Sequence, residues 1–225
     1  MAGNIDRIKS EVEVLKEFTG AERLDKLESK LQFRTKYMVL ALEDVFHPHN
    51  ASACIRSAEA FGLHEIHAVQ RLCDFSPSQD IVRGTDQWMD IKRWDTTPEL
   101  VAHLRERGYR IVVTGPRENG STLENFDAES APFALFMGTE KTGISQWLMN
   151  EADDSIVIPM TGFAESLNIS VSAAIITQEL TRRIRLMKPV KWQLAEDERE
   201  EVLCQWLRKS IRKSNEIINR VLGEP

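Results

Sequence analysis

Three polar segments interrupt the apolar pattern of this chain, and each carries residue types that could hold an anion or a ligand. The first is His47-Pro48-His49-Asn50-Ala51-Ser52-Ala53-Cys54-Ile55-Arg56, closing at Phe61-Gly62. It follows an apolar run. Asn50 reads as a helix N-cap and Gly62 as the residue after the helix end, where a positive φ is needed. Cys54, Ala58 and Phe61 fall on one buried stripe, and Ser52, Arg56 and Glu59 on another face. A helix N-terminus with a cap amide and a guanidinium suits a phosphodiester. The purely structural alternative has Asn50 as a cap and Arg56 paired with Glu59. His47 and His49 lack a third ligand, so no metal site is expected.

The second segment, Phe136-Met137-Gly138-Thr139-Glu140-Lys141-Thr142-Gly143-Ile144-Ser145, follows the apolar run Pro132–Met137. It lacks the Lys-Ser/Thr pair that must follow the second glycine of a nucleoside-triphosphate loop. The chain has no G-x-G-x-x-G run either, so the dinucleotide fingerprint is missing. The third, Ile158-Pro159-Met160-Thr161-Gly162-Phe163-Ala164-Glu165-Ser166-Leu167-Asn168-Ile169-Ser170, runs into a helix whose start is apolar on nearly every side. That helix start should be buried. Ser166, Asn168, Ser170 and Ser172 then need partners, as caps or as ligand contacts.

These segments sit in an alternating frame. Candidate strands are Met38–Leu42, Glu65–Val69, Met89–Arg93, Arg110–Thr114, Pro132–Met137 and Ser155–Ile158. Helical patterns cover Ala51–Phe61, Pro98–Arg107 and Ile169–Met187. The alternation predicts an α/β fold, a mostly parallel sheet with helices on both faces. Residues 1–35 read as an N-terminal helical extension of two amphipathic helices broken near Gly20, residues 36–187 as the α/β domain, and residues 188–225 as a C-terminal extension. The last is expected to hold one long helix with Leu203, Leu207, Ile211, Ile218 and Leu222 on one stripe.

A net charge of −6 speaks against broad attraction to nucleic acid. Basic residues cluster nonetheless: Arg182, Arg183, Arg185, Lys188 and Lys191 lie in one acid-free run, and Arg208, Lys209, Arg212 and Lys213 in another. Such runs are either solvated faces or local phosphate sites, because screening lets the nearby field decide. No run approaches the ~18 consecutive apolar residues of a membrane span. The odd set Cys54, Cys73 and Cys204, with no leader-like N-terminus, fits a reduced, cytoplasmic chain.

The three segments together resemble the SPOUT superfamily of methyltransferases, in its SpoU/TrmH-type branch of RNA ribose 2′-O-methyltransferases. The motifs carrying the resemblance are Asn50-x-x-Ala53-x-x-Arg56 with Phe61-Gly62, Met137-Gly138-x-Glu140-x-x-Gly143, and Ile158-Pro159-Met160-x-Gly162 with Ser166-Leu167-Asn168-x-Ser170. They span roughly residues 38–187. The resemblance implies a trefoil-knotted fold, a homodimer with the active site near its interface, and S-adenosylmethionine as cofactor. It assigns Thr114, Met137, Gly138, Ile158, Met160 and Leu167 to the cofactor. Arg56, Asn50, Glu140, Ser166 and Asn168 become the catalytic set, with Arg56 at the reacting nucleotide. The flanking helices resemble those of tRNA (guanosine-2′-O-)-methyltransferases. tRNA is thus the implied partner, with the D-loop guanosine at position 18 as the favoured target. Arg182, Arg183, Arg185, Lys188, Arg208, Lys209, Arg212 and Lys213 become candidate RNA contacts. The alternatives are another tRNA or rRNA ribose, or a catalytically silent RNA-binding homologue.

Overall fold

The computed structural model describes residues 2–45, 47–70, 75–82, 84–117, 120–139 and 142–223. In chain order its helices and strands are α1 (Ala2–Glu17), α2 (Ala21–Leu31), β1 (Met38–Glu43), α3 (Pro48–Ala60), β2 (Glu65–Val69), α4 (Gln79–Val82), β3 (Asp90–Trp94), α5 (Thr97–Glu106) and β4 (Arg110–Thr114). There follow β5 (Ser121–Thr122), β6 (Phe133–Met137), α6 (Gln146–Glu151), β7 (Asp154–Val157), α7 (Ile169–Ile184), α8 (Pro189–Trp192), α9 (Glu196–Ser210) and α10 (Ser214–Leu222). They divide between two compact units: Thr35–Trp192, and Met1–Arg34 with Gln193–Pro225.

The larger unit is built on a seven-stranded sheet in the order β3-β2-β1-β6-β4-β7-β5, every neighbouring pair parallel. Parallel strands covered on both faces must be apolar throughout, and β1 and β6 are buried at every residue. Successive side chains alternate between two cores. Met38, Leu40 and Leu42 meet Cys54, Ile55 and Ala58 of α3 and Ala173, Ile176 and Leu180 of α7. Val39 and Ala41 meet Leu100 and Leu104 of α5 and Leu148 of α6. Burying each large side chain of this kind stabilises the fold by about 1.5–3 kcal/mol. The expected strands recur within a residue or two; only the two-residue edge strand β5 had no counterpart in the apolar pattern.

Helix α3 starts three residues earlier than its periodicity suggests. Pro48 takes the first helical turn and His47 the cap position, so Asn50 lies inside the helix rather than capping it. Ser52 is not on an open face with Arg56. It is buried, donating to the Pro48 carbonyl at 2.6 Å and accepting from the Ser78 amide at 2.7 Å. The helix ends as expected at Gly62, with φ +83°. The Leu63 amide bonds the Ala58 carbonyl and the Gly62 amide bonds the Glu59 carbonyl, which satisfies two end carbonyls.

One flank of the sheet is pinned by charge. Glu65 is fully buried and receives both Arg107 Nη atoms and Lys92 Nζ. Burial alone would raise its carboxyl. The contacts with His67, Arg107 and Lys92 outweigh that and hold it far below the usual carboxylate range. The His67 ring accepts from Trp94 Nε1 at 3.0 Å, tying β2 to β3.

In the smaller unit α1 packs on α9 and α10, and α2 on α9, burying Val12, Leu15, Leu27, Leu31, Leu203, Trp206, Leu207 and Ile218. The amphipathic terminal segments thus cover one another. The single long C-terminal helix expected from its stripe is two helices. The chain is extended at Ile211 and left-handed at Lys213 (φ +64°), and Ser214 Oγ returns to the Arg208 carbonyl at 3.0 Å. Arg208/Arg212 and Lys209/Lys213 are therefore not helical neighbours. Arg208 instead bonds Glu11 and Asn215. Cys204 lies beside Glu11, and burial pushes its thiol up to about 11, so it stays protonated.

Candidate functional site

The second and third polar segments, with the loop after β4, meet at the carboxyl ends of β6, β7 and β4, which are adjacent in the sheet. Ligands of open parallel sheets bind outside such ends. A cavity of about 470 Å³ lies there, within the usual range for small-molecule sites. The loop after β4 contributes Thr114, Gly115 and Pro116. The loop after β6 contributes Met137, Gly138, Thr139 and Gly143. The loop after β7 contributes Ile158, Met160, Glu165, Ser166, Leu167 and Asn168, while Ile169, Ser172 and Ile176 of α7 close one wall. All six residues assigned to the cofactor from sequence line this one cavity.

Each loop is shaped by its own chemistry. Thr139 and Gly143 exchange both backbone hydrogen bonds at 3.0 Å, and Thr139 Oγ1 accepts from the Thr142 amide, so the β6 loop folds back on itself. That closure leaves no room at Gly138. A Cβ there would lie 2.2 Å from the Gly143 carbonyl carbon and oxygen. The glycine is needed by the loop's own backbone, whatever occupies the cavity.

Asn168 caps α7: its Oδ1 accepts from the Ser170 amide at 2.8 Å and Ser170 Oγ at 2.6 Å. Its Nδ2 donates to Asn50 Oδ1 at 3.2 Å, joining the first segment to the third. Ser166 and Asn168 thus stand at the cavity, with Asn50 at its edge. Arg56 is not among the lining residues. Its exposed guanidinium donates to the Ile81 carbonyl at 3.1 Å. Six residues beyond Asn50, it projects from a different side of α3. Glu140 lies outside the described residues.

The start of α7 is less buried than its composition suggests. Ser166 and Asn168 are exposed, and so are Phe163, Val171 and Ile175. An open apolar face of this kind on a folded unit asks for a partner surface.

The side chains of the basic runs differ in burial and in what they bond. Arg183 donates to the Leu123 and Phe126 carbonyls, and Arg185 to the Phe61 carbonyl while lying over the Trp192 ring. Both act within the fold. Arg182 pairs with Glu179, and Lys213 with Glu216, at the surface. Lys188, Lys209 and Arg212 are partly or fully exposed. Sequence reading missed Gly115, Pro116 and Thr139 in the lining, whereas Ser172, named as a possible ligand contact, is there. A Gly-Pro pair just after a strand was the available signal for the first two.

Residues 37–178 match the SpoU rRNA Methylase family. A tRNA (guanosine(18)-2′-O)-methyltransferase of Borreliella burgdorferi is 32% identical over 216 residues, covering 96% of this chain and 98% of that one. The enzyme of the same name from Thermus thermophilus is 33% identical over 87% of this chain and its own full length. Among solved structures, a TrmH/SpoU tRNA-modifying enzyme of Aquifex aeolicus superposes with a TM-score of 0.74 at 28% identity, covering 85% of this chain and 98% of that one. The SpoU methyltransferase AviRb of Streptomyces viridochromogenes, in complex with AdoMet, gives a TM-score of 0.58 at 27% identity over 71% of this chain and 65% of its own. By the family match over residues 37–178 and relatives similar over nearly its whole length, this chain belongs to the SpoU rRNA methylase family.

Proposed function

We propose that this chain transfers a methyl group from S-adenosylmethionine to the 2′-hydroxyl of a tRNA ribose, at the D-loop guanosine in position 18. The observation that carries the reading is the convergence of the second and third motif loops, with the loop after β4, on one cavity of fitting size, to which Asn168 ties Asn50 of the first motif. Its lining suits the cofactor. Met137, Ile158, Leu167 and Ile176 offer apolar walls for an adenine face, and Thr114, Ser166 and Asn168 offer polar atoms for the ribose and amino-acid ends. The names of the relatives similar over nearly the whole chain favour tRNA and position 18 over an rRNA target.

When bound, S-adenosylmethionine supplies an electrophilic methyl. The protein's task is to hold a weakly acidic hydroxyl in line with it and to favour the anionic form. A guanidinium stays protonated in proteins, so Arg56 acts as an electrostatic stabiliser of the developing alkoxide rather than as a base. Asn50, Ser166 and Asn168 hold the loops and the ribose in register, with Glu140 assigned to the same task. The experiment is direct. Methyl-labelled S-adenosylmethionine with tRNA yields labelled 2′-O-methylguanosine at position 18, and a tRNA carrying deoxyguanosine there takes up no label. Label at another ribose would move the target within the family. No label in any RNA would make the chain a silent binder.

A homodimer belongs to this reading. Arg56 lies outside the cavity of its own chain, and Phe163, Val171 and Ile175 are exposed apolar side chains on the loop and helix that contribute other residues to its lining. A second copy would cover them and bring its own Arg56 to the site. Sedimentation at micromolar concentration is expected to give twice the 25.7 kDa chain mass. An active monomer under those conditions would overturn it. A deep trefoil knot is likewise part of the proposal. It is supported by the strand order, in which β6 returns between β1 and β4, and β7 between β4 and β5. No described helix is long and apolar enough to cross a membrane, and cytoplasmic action fits the tRNA substrate.

For tRNA recognition the residues to test are the exposed Lys209 and Arg212. Neutralising both is expected to weaken tRNA binding and to flatten the salt dependence by about 0.7–0.9 in log–log slope for each phosphate that is no longer neutralised. Filter binding across a salt series measures this. An unchanged slope would remove the C-terminal segment from RNA recognition.

A further inference from the structure

Glu43 is a carboxylate at the end of an otherwise apolar strand, and it is buried. Burying a charge is costly unless it is fully hydrogen-bonded. Here both oxygens are occupied. Oε2 accepts from the Ser145 backbone amide at 2.8 Å. Oε1 accepts from Ser145 Oγ at 2.8 Å and from Thr97 Oγ1 at 2.7 Å. These donors come from two other elements: Ser145 ends the β6 loop and caps α6, and Thr97 opens α5.

Ser145 is oriented by this arrangement. Its hydroxyl hydrogen goes to Glu43, which leaves a lone pair to accept the Leu148 amide of α6 at 3.3 Å. The loop that lines the cavity, from Met137 to Gly143, is therefore fixed at its start by β6 and just past its end by Glu43. On its other side Glu43 is followed by Asp44 at φ +51° and then by the segment that leads to Asn50. One carboxylate thus joins the exit of the second motif to the entry of the first. Glu43 does not line the cavity, so it can act only through the residues it holds.

We infer that Glu43 is a positioning residue for methyl transfer, clamping Ser145 so that the β6 loop keeps the shape that binds S-adenosylmethionine while the first motif stays aligned with it. The inference rests on the function proposed above. A glutamine at 43 offers one acceptor where three donors converge, so a donor faces a donor or the Ser145 hydroxyl loses its acceptor.

The test is calorimetric binding of S-adenosylmethionine to the full-length protein, beside steady-state kinetics and thermal melting. Glu43→Gln is expected to weaken S-adenosylmethionine binding by about tenfold and raise its KM, with the KM for tRNA unchanged. Thr97→Val removes a bond to the same carboxylate without touching the loop. It should lower the melting temperature yet keep S-adenosylmethionine affinity within about twofold. A Glu43→Gln protein that melts lower but binds S-adenosylmethionine as the parent does would overturn the inference and leave Glu43 a structural anchor. If Glu43→Gln does not fold, Ser145→Ala carries the same expectation, and wild-type affinity in that variant overturns it equally. A parent protein that binds no S-adenosylmethionine defeats the functional reading instead, so the two failures are distinct.

Discussion

Arg56→Ala is expected to lower tRNA methylation by on the order of 10²-fold or more, with S-adenosylmethionine affinity unchanged. The guanidinium lies outside the cavity at the strand ends and bonds the backbone at Ile81, so its removal disturbs neither the cavity loops nor the core. What disappears is a positive charge for an oxygen that becomes anionic only as the methyl moves. An interaction made mainly in the transition state is read in kcat, while ground-state binding is spared. Arg56→Lys keeps the charge without the fork of donors and should fall between the two. Single-turnover rates with calorimetry of S-adenosylmethionine decide the matter. Near-parental turnover in Arg56→Ala would take this residue out of the mechanism.

Gly138→Val should abolish measurable S-adenosylmethionine binding, by a route opposite to that of Arg56. A side chain at 138 has no space even without a ligand, since its Cβ would stand 2.2 Å from the Gly143 carbonyl and 2.4 Å from the Ile144 amide nitrogen. Such an overlap is with backbone, which cannot rotate away. The Thr139–Gly143 closure must open, and with it one wall of the cavity. The cores formed by β1, β6 and their covering helices are not touched, so the far-ultraviolet spectrum should persist while titration heat disappears. Retained affinity would mean that the loop can re-form around a side chain and that its shape is not what binds the cofactor. The two variants also test the proposed dimer together. If a site takes its cofactor loops from one chain and Arg56 from the other, unfolding and refolding a mixture of Arg56→Ala and Gly138→Val chains restores activity that neither has alone. If each chain carries a complete site, the mixture stays inactive.

Much of the sheet and three sides of the candidate site were legible in the sequence, for a local reason. Strands buried on both faces are rich in apolar and β-branched residues, so β4, with Ile111, Val112 and Val113, could be read to the residue, and β2 matched its expected bounds despite Glu65 and His67. Polar, glycine-bearing segments that directly follow such runs in a parallel sheet have to emerge at the carboxyl edge, where ligands bind. Thr114, Met137, Gly138, Ile158, Met160 and Leu167 were named by the family resemblance, and all six line the cavity at that edge. The end of α3 at Gly62 was equally local, because the left-handed conformation selects the residue.

What the sequence left open depends on partners distant along the chain. The apolar spacing of Leu207, Ile211 and Ile218 continues through the break at Lys213, where the Ser214 hydroxyl bonds back to the Arg208 carbonyl. Arg183, Arg185 and Arg208 look like their neighbours in a basic run. Only folding shows that carbonyls at Leu123, Phe126 and Phe61, and the carboxylate of Glu11, hold them. Charge is a property of a residue, whereas its availability to RNA is a property of what surrounds it. Glu43 is the sharpest case. Glu43 falls just outside the expected strand Met38–Leu42, and its meaning needed Thr97 and Ser145, which are 54 and 102 residues away, to arrive at the same two oxygens. Periodicity and residue type determine which segments form strands, helices and turns, because those choices rest on neighbours along the chain. Which polar groups satisfy one another is decided only when the sheet order brings β1, β4, β6 and β7 side by side.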